Sequence, residues 1–362
     1  MMIHPMNAQM KHILALTRAG SLSDATALIQ RTLSATNFVK AEPSLMPARP
    51  VDLRKEMSAL PKSQAIVRKG KRNGPRDGAA QGMKRHCYDA ARGSLDYLLY
   101  VPAQVDGPLP LVIMLHGCTQ SADDFARGTH MNEIGKEFGL IVAYPEQRQS
   151  ANAQKCWNWF RPGDQKKGAG EPEMIAGITR EIMANCDVDS SRVYIAGLSA
   201  GGAAAAIMAA SYPELYTAVG IHSGLACGSA RDLPSALAAM RGQRKSRPVS
   251  ASPYIPVITF HGDRDSTVHP ANSEQIHADC ASSPDLASLE RRVEQGVSSA
   301  GRRYRKTSLV NSDCRSLAEN WEIVGAGHAW SGGSPAGSYT DASGPDASRE
   351  MARFFLQHRK CR

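Results

Sequence analysis

Gly197-Leu198-Ser199-Ala200-Gly201 sets a serine between two glycines, with a short apolar run before it and a run of small residues after it. A serine hydroxyl is a weak nucleophile and has to be presented on a sharp turn, free to meet a base. The flanking glycines let the backbone turn tightly without a Cβ clash. This G-x-S-x-G pattern between a strand and a helix reads as a nucleophile elbow, with Ser199 as the nucleophile. Two partners follow in the order acid, then histidine, that such elbows use. Phe260-His261-Gly262-Asp263-Arg264-Asp265 offers two carboxylates in a turn after an apolar run. Asp265 is the candidate acid, and Asp263 is expected to bond nearby loop amides. Gly325-Ala326-Gly327-His328 places a histidine on a glycine-flanked loop, which makes His328 the candidate base. His269 and His277 come too soon after the acid to reach back. His358 falls in a C-terminal helix, where solvation is expected. An ionised Asp265 would hold the His328 tautomer and stabilise the imidazolium formed during reaction.

The chemistry these residues support is acyl transfer, which also needs preorganised N–H donors for an oxyanion. Ala200, next after the nucleophile, supplies one through its backbone. The segment His116-Gly117-Cys118-Thr119, after a continuous apolar run, is the source of the second, with the Cys118 amide as the candidate. Cys118 has no Cys-His pattern that would make it a rival nucleophile. Such a mechanism calls for no metal and no organic cofactor.

Elements that must position these groups are legible as alternating patterns. Residues 95–101, 109–115, 140–144, 193–196, 218–222, 255–261 and 321–324 read as strands, several of them apolar on both faces. Residues 173–183, 203–210 and 346–358 read as helices. Strands alternating with helices predict an α/β fold of the α/β-hydrolase kind: a mostly parallel sheet with helices on both faces. The motifs all fall beyond the carboxyl ends of strands, where open α/β sheets place their sites.

Together these residues resemble the esterase family that includes poly(3-hydroxybutyrate) depolymerases, with related feruloyl and acetylxylan esterases. The resemblance covers about residues 92–358 and rests on five segments. They are Leu115-His116-Gly117-Cys118-Thr119-Gln120, Cys156-Trp157-Asn158-Trp159-Phe160, Gly197-Leu198-Ser199-Ala200-Gly201-Gly202, His261-Gly262-Asp263-Arg264-Asp265 and Gly327-His328-Ala329-Trp330. It implies a serine carboxylic ester hydrolase with Ser199, Asp265 and His328 as triad and the Cys118 amide in the oxyanion hole. Trp157, Trp159 and Trp330 all sit by loops at the expected mouth, where rigid aromatic faces suit an ester's apolar groups or a polymer strand. Cys118 and Cys156 are candidates to pair there. Substrates compatible with this reading are polyhydroxyalkanoate polymer or oligomers and small hydroxyacyl or aryl esters. Feruloyl or acetylxylan esters, thioesters and peptides are the enzymatic alternatives. The non-enzymatic alternative is a protein that binds polymer granules or surfaces.

Charge divides the chain. Residues 1–85 hold 15 basic and 5 acidic residues, so of the net +9 the remainder, 86–362, carries −1. This reads as a basic N-terminal extension (1–85) before a near-neutral catalytic domain (86–362). The extension offers two short amphipathic helices, 8–16 and 23–33, the second with Ala25, Leu28, Ile29 and Leu33 on one face, and then a Pro- and Gly-punctuated linker. Its composition reads first as a solvated, poorly ordered leader, and its charge could also favour nucleic acid, an anionic membrane surface or a polymer granule coated with acidic protein, with no specific nucleic-acid partner expected. Lys11, His12 and Arg18 interrupt the apolar stretch a secretion signal needs, so the cytoplasm is the favoured location, with export as in many relatives the alternative. No run of 18 apolar residues suggests a membrane span. Eight cysteines, without a CxxC spacing, point to neither a zinc site nor a small disulfide scaffold.

Overall fold

The centre of the chain is a sheet whose middle strands are apolar at every position, because both of their faces are covered. In a computed structural model of the chain, residues 82–90, 93–103, 107–243, 255–281 and 289–360 are described. The two expected N-terminal helices and nearly all of the basic extension lie outside these residues. The extension's last residues do not, because the first strand, β1 (Met83–Ala90), runs across the boundary expected at 85.

Ten strands form one sheet, in the order β1-β2-β4-β3-β5-β6-β7-β10-β9-β8. They are β2 (Gly93–Tyr100), β3 (Leu109–Leu115), β4 (Ile141–Glu146), β5 (Val188–Leu198), β6 (Ala218–His222), β7 (Val257–Gly262), β8 (Glu290–Val297), β9 (Arg303–Val310) and β10 (Ser316–Ile323). From β4 through β3, β5, β6 and β7 to β10 every pairing is parallel. Antiparallel β1 and β2 close one end, and β9 and β8 the other. A small parallel pair, β11 (Trp330–Ser331) and β12 (Thr340–Asp341), stands apart.

Alternation along β3 feeds two cores. Leu111, Ile113 and Leu115 pack on one face with Ile175, Ile178 and Ile182 of α3 (Gly170–Asn185) and the alanines of α4 (Ala200–Ser211). Val112 and Met114 pack on the other face with Phe125 of α1 (Ala122–Thr129), Ile134 of α2 (Met131–Phe138) and Met351, Phe354 and Phe355 of α7 (Ala347–Leu356). Two further helices, α5 (Leu233–Met240) and α6 (Ala271–Ala281), add Ala236, Ala239 and Ile276 to the first core. Small residues let α4 lie close against the sheet, and that proximity positions the site. Among the described residues no helix is long and apolar enough to cross a membrane.

The terminal helix begins after an Asp346 cap and ends at Leu356, two residues before its expected end. His358 is not solvated as expected. It is buried against Phe354, and its carbonyl accepts the Tyr194 hydroxyl at 2.7 Å.

Ile113 is fully buried in the centre of β3, so Ile113→Ala is expected to cost about 2–5 kcal/mol through lost transfer energy and an unfilled cavity. Denaturant unfolding should show the midpoint fall at unchanged slope; a loss under about 0.5 kcal/mol would contradict the packing described.

Candidate active site

Ser199 occupies the turn from β5 into α4 with φ 57° and ψ −118°, in a region that side-chain-bearing residues rarely adopt. Crowding dictates the turn. A Cβ on Gly201 would lie 2.0 Å from the Leu115 carbonyl oxygen and 2.5 Å from that of His116, so α4 starts flush against the end of β3. The Ser199 N–H donates to the His222 carbonyl at 2.9 Å, which ties the turn to the end of β6. Ala200 opens α4, and its N–H belongs to the first-turn amides that have no carbonyl partner within the helix. The positive end of the helix dipole adds to that donor.

Asp265 and His328 meet as expected. The His328 Nδ1–H donates to Asp265 Oδ2 at 2.7 Å, which leaves Nε2 as the basic nitrogen. The other carboxylate oxygen accepts the Thr267 and Val268 amides, each at 2.9 Å. His261 approaches the same Oδ2 at 3.3 Å with Nε2, whose hydrogen is shared with the Val268 carbonyl at 2.7 Å. Burial alone would raise the Asp265 carboxyl, but the hydrogen bonds from His261, His328 and the Val268 amide hold it well below the usual carboxylate range. It is an anion set under the histidine. Asp263 does bond a loop amide, accepting from Gly325 at 2.6 Å, and the Arg264 amide donates to Ala326 at 3.0 Å. These bonds stitch the acid's loop to the histidine's loop.

The oxyanion loop is held just as tightly. The Gly117 amide donates to Gln120 Oε1 at 2.9 Å and the Thr119 amide to Gln154 at 2.6 Å, so the amide between them, Cys118, is the candidate donor. Cys118 forms a disulfide with Cys156, which leaves it no thiolate for nucleophilic attack. His116 spends both ring nitrogens on the loop: Nδ1 donates to the Gly117 carbonyl at 2.7 Å, and Nε2 accepts the Gln147 amide at 3.0 Å. Burial pushes it down to about 4, so the ring is neutral. Behind it Glu171 collects three donors, Gln147 Nε2 at 2.5 Å, the Asn158 amide at 2.7 Å and Asn158 Nδ2 at 2.5 Å. Those donors favour its ionised form, yet burial first and the Asp164 charge second raise it to about 7.

Sequence reasoning missed His116, Gln147, Glu171 and His261 as supports. His116 and His261 stand inside the motifs; Gln147 and Glu171 carry no local signal. The tryptophans require a correction, because none displays a free face. Trp157 is fully buried and donates Nε1–H to the His116 carbonyl at 3.1 Å. Trp330 is buried between Phe125 and His222, with ring centroids 5.4 and 5.0 Å away, and donates to Ser348 Oγ at 3.1 Å. Trp159 is buried edge-on to Phe160. An indole N–H needs a partner and its ring buries a large apolar area, so loops that can supply both draw these side chains inward.

A parallel sheet covered on both faces, a serine on a left-handed turn after β5, and an acid and histidine on the loops after β7 and β10 define an α/β-hydrolase. Acetyl xylan esterase from Aspergillus awamori shares this fold, with a TM-score of 0.58 and 20% identity over 73% of this chain and 94% of that one. Residues 95–284 match the family described as Esterase PHB depolymerase, and the chain belongs to that family. Poly(3-hydroxyalkanoate) depolymerase C of Paucimonas lemoignei is 33% identical over 195 residues, 51% of this chain and 47% of that protein. Feruloyl esterase B of Neurospora crassa is 33% identical over 128 residues, 35% of this chain and 43% of that protein. The chain thus spans under half the length of these two relatives. The family match contains Cys118, Ser199 and Asp265 and ends before His328, which its Nδ1 bond joins to Asp265.

Two outcomes follow. Opening the Cys118–Cys156 bridge, which closes a loop of 38 residues, should cost about 4 kcal/mol if chain entropy dominates. Thermal unfolding of the Cys118→Ala/Cys156→Ala variant should show that loss, and an unchanged midpoint would refute it. The second concerns pH. Burial pushes His116 and His358 down to about 4, and His222 lies well below its ordinary 6.5. Each binds fewer protons folded than unfolded, so each adds stability as pH rises from about 4 to 6.5. Glu171, raised to about 7 from 4.5, opposes them between those values. With three groups against one, the midpoint should rise from pH 4.5 to 6.5, and a falling curve over that range would contradict neutral buried imidazoles.

Proposed function

We propose that this chain hydrolyses carboxylic esters through an acyl-enzyme on Ser199. The observation that carries the reading is the 2.7 Å bond between His328 Nδ1 and an ionised, buried Asp265, on loops beside the Ser199 turn. His328 Nε2 takes the hydroxyl proton as Ser199 Oγ attacks the ester carbonyl. The Cys118 and Ala200 amides receive the developing oxyanion. On collapse the alcohol leaves with the proton from His328, and water then repeats the sequence on the acyl-enzyme, releasing the acid and restoring the serine. Every step uses side chains and amides of the chain itself.

Family membership and the relatives' names support esters of hydroxyacyl units as the substrate class, with oligomers and amorphous polymer first and aryl or acetyl esters second. The Cys118–Cys156 disulfide favours an oxidising compartment, against the cytoplasmic location read from the N-terminal residues.

The test is hydrolysis of p-nitrophenyl esters of graded acyl length, methyl ferulate, acetylated xylan and amorphous poly(3-hydroxybutyrate). Ser199→Ala should lower turnover by about 10⁴-fold or more, and Asp265→Asn by a similar order through loss of the tautomer. Normal turnover by Ser199→Ala would refute the mechanism. Polymer activity beside short-ester activity would assign the depolymerase reading; ferulate or acetyl activity without it would assign the second.

A further inference from the structure

With the three tryptophans buried, none of them offers an aromatic face at the site. Tyr339 is the large aromatic left exposed beside it, at 47% of its surface. Its backbone carbonyl accepts the Trp330 N–H at 2.7 Å, two residues beyond His328. Its hydroxyl lies 3.1 Å from Thr119 Oγ1. Thr119 gives its own proton to the Cys118 carbonyl at 2.6 Å, so Tyr339 is the donor and Thr119 the acceptor. Tyr339 therefore spans from the loop of the candidate base to the residue next to the candidate oxyanion donor.

It is also held still. Ser338 N–H donates to Asp124 Oδ1 at 3.0 Å, and Gln120 Nε2 donates to the Ser338 carbonyl at 3.0 Å. A Cβ on Gly337 would sit 2.4 Å from Gly128 Cα, so the segment lies directly on the end of α1. Tyr339 takes φ 52°, an unusual conformation for a bulky residue and one found preferentially at ligand clamps. With its hydroxyl committed, the surface it offers is the ring.

We propose that Tyr339 is a specificity-determining residue, its ring forming the wall along which an acyl chain of several carbons extends from the scissile carbonyl. This rests on the ester-hydrolase reading of the Ser199 site. Apolar chain packed on an aromatic face gains with each methylene, whereas an acetyl group hardly reaches it.

The experiment compares wild type, Tyr339→Ala and Tyr339→Phe on p-nitrophenyl acetate and p-nitrophenyl hexanoate. Tyr339→Ala should raise KM for the hexanoate about tenfold and for the acetate no more than about twofold. Tyr339→Phe keeps the ring and should hold the hexanoate KM within about twofold of wild type, while kcat for both esters falls together as the Thr119 tie is lost. Circular dichroism and the rate of Ser199 labelling by a small fluorophosphonate check that each variant is folded with its nucleophile in place. Equal kcat losses on both esters in Tyr339→Ala, with both KM values unmoved, would make Tyr339 only a strut and overturn the proposal. Wild-type activity on other esters of the panel above but on neither of these would overturn this proposal alone, whereas inactivity on every ester would overturn the ester-hydrolase reading with it, before any variant is compared.

Discussion

Between the last carbonyls of β3 and the first turn of α4 there is no space for a side chain. At position 201 a Cβ would lie 2.0 Å from the Leu115 oxygen, nearer than non-bonded atoms approach. Because α4 must start there, the chain leaving β5 has to reverse within one residue, and Ser199 takes the left-handed conformation that results. The same contact brings the Cys118 segment, which continues from Leu115 through His116, up to the helix start that carries the Ala200 amide. The turn at the candidate nucleophile and the pairing of the two candidate oxyanion donors are thus consequences of one close approach. The alanine-rich sequence of α4 makes it possible, since larger side chains would hold the helix away from the sheet.

Buried polar groups complete the arrangement, and the carboxylate of Asp265 and both ring nitrogens of His116 are fully partnered, whereas Nδ1 of His261 has no partner among the described residues. An uncompensated buried charge is costly, and a half-satisfied network costs more than an apolar core. Asp265 meets this demand with two backbone amides and two imidazoles. His116 meets it with a carbonyl on one nitrogen and an amide on the other. Glu171 is the group under tension, since its three donors call for the anion while burial and Asp164 call for the acid. That tension is located behind the oxyanion loop, where Gln147 and Asn158 link it to His116 and to the disulfide-bearing segment.

Much of the parallel centre was legible in the chain because buried-on-both-faces strands announce themselves as unbroken apolar runs. Residues 109–115 and 218–222 form strands with the bounds their composition suggests. The flanks were not legible. β8 is Glu290–Val297, exposed along almost its whole length, and β1 is mixed in charge and polarity, so neither shows a buried alternation. Short α1 and α2 carry Gly128 and Gly135 in their interiors, which hides their helical period. At the site, residue type and spacing pointed to Ser199, Asp265, His328 and Cys118, because acyl transfer admits few solutions. Orientation is a tertiary property. Trp330 turns inward because Phe125 and His222 flank it, and His358 because Tyr194 bonds its carbonyl, and all three of these neighbours lie more than a hundred residues away in the sequence.

A triad works only if nucleophile, base and oxyanion donors keep their places to within fractions of an ångström, and loops do not do this unaided. Here the histidine's loop is fastened from two directions. On the acid's side, Asp263 and Arg264 bond to Gly325 and Ala326, just before the histidine. On the oxyanion side, the segment between β11 and β12 binds Gln120, Asp124 and Thr119 by way of Ser338 and Tyr339. The candidate base is thereby set relative to both the anion beneath it and the candidate oxyanion donors. Ser199 needs no such bracing, because the turn that carries it is locked by the sheet. The fold gives the rigid position to the candidate nucleophile and fixes its candidate partners around it with side-chain and backbone bonds.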